Sequence, residues 1–191
     1  MNLQQGTARE SPLSGLRVLL VDEDVDGREA LHVALAQRGA DVVSVGTSEA
    51  ALEALDAAPP DVLVSDLDLP GQDGCELLEQ VRRRDPQRGG GVSAAAVTAR
   101  DAPDDHRRAL EAGYQLHVAK PVEPDYIVAL VAMLAGRFAE LDQLMAELQT
   151  RSATHAALTR RFCALTAERD RLLRESERLR SEGRKGRVNG H

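Results

Sequence analysis

A handful of side chains in this chain have the types and positions needed to handle a phosphoryl group. Asp22 and Glu23 directly follow the apolar run Val18-Leu19-Leu20-Val21, and Asp66 follows Val62-Leu63-Val64-Ser65. Thr98 closes Ala94-Ala95-Ala96-Val97, and Lys120 closes Leu116-His117-Val118-Ala119. If the first and third runs are neighbouring strands, their axes lie about 4.8 Å apart, and Asp22, Glu23 and Asp66 converge on one patch. Unit charges 4 Å apart repel by about 4 kcal/mol at an effective dielectric of 20, so such a cluster calls for a bound cation. Oxygen donors on a shallow rim suit Mg²⁺, which accepts one or two carboxylates and keeps several waters. Thr98 and Lys120 add a hydroxyl and an ammonium at the same edge. A nucleophile, charge neutralisation on two sides and a hydrogen-bond donor are the parts that phosphoryl transfer requires.

Elements of two kinds must hold these residues in place. Arg17–Val21 reads as a strand. Asp26-Gly27-Arg28-Glu29 then offers a cap-like aspartate with Glu three residues later, and Ala30, Leu31, Ala34 and Leu35 recur at helix spacing up to Gly39. Val42-Val43-Ser44-Val45 leads to a Thr47/Ser48 cap and a helix carrying Ala51, Leu52 and Leu55, stopped by Pro59-Pro60. Val62–Val64 precedes a helix with Leu77, Leu78 and Val81. Ala94–Val97 precedes a helix opened near Pro103 and closed by Gly113, and Leu116–Ala119 precedes one opened at Pro124. Five strand runs alternating with five helices predict an α/β, doubly wound, five-stranded parallel sheet covered on both faces. Sites in such sheets form outside the carboxyl ends of the strands, where the residues named above stand.

Residues 1–14 are polar and read as a disordered leader, and 15–136 as the folded domain. From Arg137 to Glu182 the chain runs 46 residues without Gly or Pro. Leucine fills five of six d positions there (Leu144, Leu158, Leu165, Leu172 and Leu179, with Arg151 at the sixth). The a positions mix Leu141, Leu148 and Phe162 with His155, Arg169 and Ser176. This is a coiled-coil pattern over 137–182, roughly 70 Å long if helical throughout. The fifth helix is expected to run into it with Gly136 as the one hinge, and 183–191 to be a disordered tail.

Net charge is −7, but residues 1–150 carry −13 and residues 151–191 carry +6, so the two parts have different partners to satisfy. The longest apolar run, Ile127–Ala135, is nine residues against the roughly 20 that span a bilayer, and no basic-then-apolar leader opens the chain. A cytoplasmic protein without membrane contact is expected. Cys75 and Cys163 have neither a CxxC nor a His/Cys partner at metal spacing and read as reduced thiols.

The motifs Val18-Leu19-Leu20-Val21-Asp22-Glu23-Asp24, Asp66-Leu67-Asp68-Leu69-Pro70-Gly71-Gln72-Asp73-Gly74, Val97-Thr98-Ala99 and Lys120-Pro121 resemble, in order and spacing, the receiver domain of two-component response regulators. The resemblance runs from about Leu16 to Leu134, and Gly113 to Pro121 looks most like receivers of hybrid sensor kinases. It implies the flavodoxin-like receiver fold, with Asp66 as phosphoacceptor and Asp22 and Glu23 as the acidic pair for Mg²⁺. The backbone carbonyl of Asp68 would join the metal, and Thr98 and Lys120 would contact the phosphoryl. It also implies a histidine kinase or phosphotransfer protein as donor and a cis Lys120-Pro121 bond. His117 replaces the aromatic that many members place three residues before the lysine. Gly89-Gly90-Gly91 should make its loop pliable, and Asp68 and Arg100 should flank the phosphoryl.

Two other readings are open at this stage. Asp66-Leu67-Asp68 matches the Asp-x-Asp of haloacid-dehalogenase-like phosphatases, although that motif normally follows a first strand. The basic C-terminal segment could instead serve a DNA-binding regulator, but it shows heptads and Arg/Glu interleaving in place of a helix-turn-helix. The seam is read as a dimerisation or docking element, nucleic acid as an unfavoured partner, and His155 as a register-setting polar residue. The chain is read as a phosphoacceptor and not an enzyme with turnover.

Overall fold

The computed structural model describes residues 11–137; the predicted heptad segment, its seam, Cys163, His155 and the C-terminal tail lie outside the described residues. Five strands alternate with five helices in chain order: β1 (Arg17–Val21), α1 (Val25–Gln37), β2 (Asp41–Val45), α2 (Ser48–Ala57), β3 (Val62–Ser65), α3 (Gly74–Arg82), β4 (Ser93–Thr98), α4 (Pro103–Ala112), β5 (Leu116–Ala119) and α5 (Pro124–Leu134). A short 3-10 turn, Pro86–Arg88, precedes β4. All strand pairings are parallel and the sheet order is β2-β1-β3-β4-β5. The order reverses between β1 and β3, and these two strands end next to Asp22 and Asp66.

The central strands are buried on both faces. Leu19, Val21, Leu63, Ala94 and Ala96 alternate toward the side covered by Leu55 of α2, Leu77, Leu78 and Val81 of α3 and Ala109 of α4. The intervening residues face α1 and α5, which pack together on the other side. Leu20, Leu63, Leu77 and Leu78 are at most 1% exposed, and each such leucine contributes about 1.5–3 kcal/mol by burial. Most of α5 is buried, Tyr126 to Met133 without interruption, which explains its continuous apolar sequence.

Several predicted details change. The cap of α1 is Asp24, whose Oδ2 accepts the Gly27 N–H at 3.0 Å, in place of Asp26. Leu13, assigned to the leader, is fully buried and its N–H donates to the Arg38 carbonyl at 2.9 Å, so the packed domain begins by Ser11. In the glycine run before β4, Gly90 is tightly packed: a Cβ there would fall 2.2 Å from the Arg84 carbonyl. Arg82 also clamps the Gly90 and Val92 carbonyls at 3.0 and 2.7 Å. Glycine serves close approach there, not pliability. α5 ends at Leu134, and Gly136, the residue expected to be the hinge, turns the chain at φ +73°. No helix among the described residues is long and apolar enough to cross a membrane.

Candidate functional site

Val21 pairs with Ser65 across β1 and β3, so Asp22 and Asp66 leave the sheet side by side. The Asp66 N–H donates to the Val21 carbonyl at 2.8 Å and the Asp22 N–H to the Val45 carbonyl at 3.1 Å, which carries the ladder one residue beyond the strands. Both carboxylates are buried, at 2% and 5% exposure. Lys120 reaches between them from the end of β5, its Nζ donating to Asp22 Oδ2 at 2.7 Å and to Asp66 Oδ2 at 2.6 Å. Burial alone would push the ammonium down, but these two bonds outweigh it and hold its pKa above the ordinary lysine value. The other oxygens are fixed by backbone. Asp22 Oδ1 accepts the Asp24 N–H and Asp66 Oδ1 accepts the Asp68 N–H, each at 3.0 Å. Each aspartate thus bonds its own chain two residues on, which fixes the carboxylate planes without help from a ligand.

Thr98 is fully buried on β4, level with Ala119 of β5, and its carbonyl accepts the Lys120 N–H at 2.8 Å. Its Oγ1 accepts the Arg100 N–H at 3.2 Å, so the hydroxyl proton remains for donation outward. The Lys120-Pro121 bond is cis. Asp22, Asp66 and Lys120 are therefore brought into direct contact at one edge, and Thr98 is bonded to Lys120 through the backbone.

Glu23 does not join the contact. It is exposed, and among the described residues no group of three or more His, Cys, Asp or Glu side chains is placed to hold a metal. The turn into α1 explains this. Arg28 Nη1 donates to the carbonyls of both Asp22 and Glu23, while Asp24 caps the helix, and the loop presents Glu23 to solvent. The donor chemistry still fits a small hard cation, because two buried carboxylates and the backbone carbonyls around them are all oxygen ligands.

Outside this pair lies a second ionic cluster. Arg100 Nε is 3.0 Å from Asp68 Oδ1, and its Nη1 is 3.0 Å from Asp73 Oδ2; Arg108 of α4 donates to the same oxygen at 2.8 Å. Burial alone would raise the Asp73 carboxyl, but the Cys75 N–H, Arg108 and Arg100 together hold it below the usual carboxylate range. Asp68 and Arg100, expected to flank the phosphoryl, thus pair with each other.

Three supports surround the site: Gly74 belongs to the Asp66–Gly74 motif already read from the sequence, whereas Arg28 and Tyr114 were not tied to the site there. Arg28 braces the acidic loop, as just described. Gly74 lets α3 start against Asp66, since a Cβ there would sit 2.2 Å from the Asp66 carbonyl. Tyr114, buried, lies 2.6 Å from Ser65 Oγ and donates to the Gly74 carbonyl at 2.8 Å, tying the end of β3 to the start of α3 on either side of Asp66. The aromatic of Gly113-Tyr114 was the available signal, but its partners are 40 and 49 residues away.

Residues 18–132 match the response regulator receiver domain. The chain belongs to this family. The receiver is 34% identical over 126 residues to the DNA-binding transcriptional regulator NtrC of Escherichia coli strain K12, covering 66% of this chain and 26% of NtrC. It is 31% identical over 145 residues to a histidine kinase of Oryza sativa subsp. indica, covering 68% of this chain and 14% of the kinase. The chain therefore spans about a quarter or less of these relatives. Among solved structures it resembles the CheY-like receiver domain protein of Methanospirillum hungatei JF-1, with TM-score 0.57, 26% identity, and coverage of 67% of this chain and 98% of that one. The predicted five-stranded receiver fold and the response regulator assignment both stand. The phosphatase and DNA-binding readings are not favoured by this family. The Asp68 carboxylate that a phosphatase would use as its acid is paired with Arg100.

Proposed function

We propose that Asp66 is the phosphoacceptor of this receiver, taking a phosphoryl group from a histidine kinase or phosphotransfer protein. The observation that supports it is the buried Asp22–Lys120–Asp66 bridge at the point where the sheet order reverses. A carboxylate oxygen of Asp66 attacks phosphorus. The P–N bond of the donor phosphohistidine breaks, its electron pair leaves with the imidazole, and an acyl phosphate remains on Asp66. The acyl phosphate carries roughly 1.5–2 negative charges where the Asp66 carboxylate carried one, so the site gains at most about one net negative charge. Lys120 moves its hydrogen bond from the carboxylate to a phosphoryl oxygen, and the Thr98 hydroxyl donates to another. Asp22, Asp66 and the Asp68 carbonyl would hold Mg²⁺, with Glu23 turning in from its exposed place on the loop to join them, and the ion when bound would neutralise charge on the phosphoryl oxygens. A cavity of about 450 Å³ lies beside Asp22 and Lys120, walled by Leu31, Pro121 and Val122.

Incubation with acetyl phosphate or phosphoramidate followed by intact-mass measurement tests this reading. A gain of one phosphoryl group that requires Mg²⁺ and is lost in Asp66→Asn is expected; a gain that survives Asp66→Asn or ignores EDTA overturns it. On this reading the receiver is a phosphoacceptor working in the cytoplasm, without turnover of its own.

The leucines of residues 137–182 are read as a self-pairing seam, because an isolated helix would leave Leu144, Leu158, Leu165, Leu172 and Leu179 in water at about 1.5–3 kcal/mol each. Sedimentation equilibrium should show a dimer that Leu165→Asp with Leu172→Asp dissociates. A wild-type monomer rules out the homodimer.

A further inference from the structure

α5 is apolar around its whole circumference. No charged residue stands between Tyr126 and Leu134, and every one of residues 126–133 is at most 4% exposed. At 3.6 residues per turn, such a consecutive run passes about twice around the helix axis, so no side of it faces water. The sheet lies beneath α5 and α1 packs beside it, whereas α2, α3 and α4 build the core on the opposite face of the sheet. Among the described residues no helix remains for the outer side of α5, so its cover has to come from residues 1–10 or from those after Arg137. Residues 1–10 bring only two large apolar side chains, Met1 and Leu3, too few to cover three turns of helix.

The end of α5 points to the second source. The Gly136 N–H donates to the Met133 carbonyl at 3.1 Å and the Arg137 N–H to the Ala132 carbonyl at 2.8 Å, the paired bonds of a Schellman turn around a left-handed glycine. Such a turn stops the helix and redirects the chain. Arg137 Nη2 also donates to the Ser14 carbonyl at 3.1 Å, which holds the exit against the start of the domain. Residues 138–148 follow directly. On a helix they would gather Phe138, Leu141, Leu144, Met145 and Leu148 within about 120° of arc and leave Glu140, Asp142, Gln143 and Glu147 on the remainder. They number eleven, as α5 does. We propose that residues 138–148 form a helix that folds back antiparallel to α5 and covers its outer side with this apolar stripe. A stripe of this width serves one neighbour. The self-pairing seam is then confined to Leu158, Leu165, Leu172 and Leu179, and α5 is closed to any other partner while the segment is in place.

Chemical cross-linking of the full chain tests the fold-back. Glu123 is exposed at the start of α5 and its side chain makes no cap bond, so Glu123→Cys leaves the helix intact. Gln149→Cys supplies the second thiol, Cys163→Ser removes a competing one, and Cys75 is buried. Antiparallel packing brings positions 123 and 149 to adjacent helix ends, with axes about 8–10 Å apart, within reach of a short bis-maleimide. A helix continuing straight from α5 would hold them about 39 Å apart. A cross-link within one chain is expected, read as an unchanged chain mass plus one linker on a denaturing gel and by mass spectrometry. Its yield should fall at least ~5-fold when Leu141→Asp and Leu148→Asp are added, and stay the same with Leu165→Asp and Leu172→Asp. Absence of the cross-link overturns the proposal. So does a link formed only between two chains, which gives the cover to a second copy, or a yield indifferent to Leu141→Asp with Leu148→Asp.

Discussion

Two ionic clusters stand at the same edge of the sheet and are built from the same kinds of charge. In the inner one, Lys120 meets Asp22 and Asp66, whose side chains are 3% and 7% exposed against 25% for the lysine. In the outer one, Arg100 and Arg108 meet Asp68 and Asp73, with side-chain exposures of 37%, 48%, 47% and 19%. Bond lengths differ little between them, 2.6–2.7 Å inside and 2.8–3.0 Å outside. Depth makes the difference. Buried charges have lost their water and depend on each other, whereas surface pairs exchange protein partners for water at small net cost. The inner cluster holds two buried anions around one shared cation. The outer cluster joins α3, α4 and the β4–α4 loop and orders the rim.

The largest effect should come from Lys120→Met, which leaves Asp22 and Asp66 buried without their shared partner. We expect a loss of about 2–3 kcal/mol in urea unfolding at neutral pH, below the full cost of an orphaned buried charge because the lysine is partly exposed. Adding Asp66→Asn to Lys120→Met should restore part of it by removing one of the two facing charges. A loss near zero for the single variant would erase the distinction between the clusters.

Asp73 sits between the extremes, since it caps α3 through the Cys75 N–H at 2.7 Å and also takes both arginines. Asp73→Ala should cost about 1–2 kcal/mol, the upper range for a lost N-cap. Asp73→Asn keeps a capping oxygen and should cost less, and it isolates the charge. The folded-state pKa of Asp73 is lowered, so its charge stabilises the protein above the unfolded value near 3.9, and that stability is lost as pH falls through the folded pKa. The gap between wild type and Asp73→Asn should therefore be constant from neutral pH to about pH 5 and close below about pH 4. A gap that persists into strong acid would assign the loss to packing.

The inner cluster was legible in the sequence and the outer one was not, for a physical reason. Asp22, Asp66, Thr98 and Lys120 each follow an apolar run, and a parallel sheet turns the ends of such runs into neighbours. The partners of Asp73 depend on side-chain reach from α4 and from a loop, 35 and 27 residues away respectively, which no local period encodes. Glu23 shows the converse limit. Adjacency to Asp22 made it a member of the cluster on paper, but consecutive residues leaving a strand point in different directions, and the α1 cap and Arg28 fix which one turns in. The same holds for Asp26, a sound cap by composition that lost to Asp24 two residues earlier.

The smallest expected effect tests the outer cluster at its most exposed member. Arg108 shares Asp73 Oδ2 with Arg100, so removing it leaves the carboxylate paired and buries nothing unsatisfied. Arg108→Gln should cost no more than about 0.5 kcal/mol at low ionic strength, within the range of exposed pairs. Even that difference should vanish toward 1 M salt, where the screening length falls to about 3 Å. Lys120→Met should keep most of its cost under the same salt, because buried charges are screened far less. Parallel urea melts of the two variants at low and high salt thus measure depth directly. Equal salt sensitivity in both would mean that water reaches Asp22 and Asp66 as freely as the rim, and the inner bridge would then have to be regarded as one more surface pair.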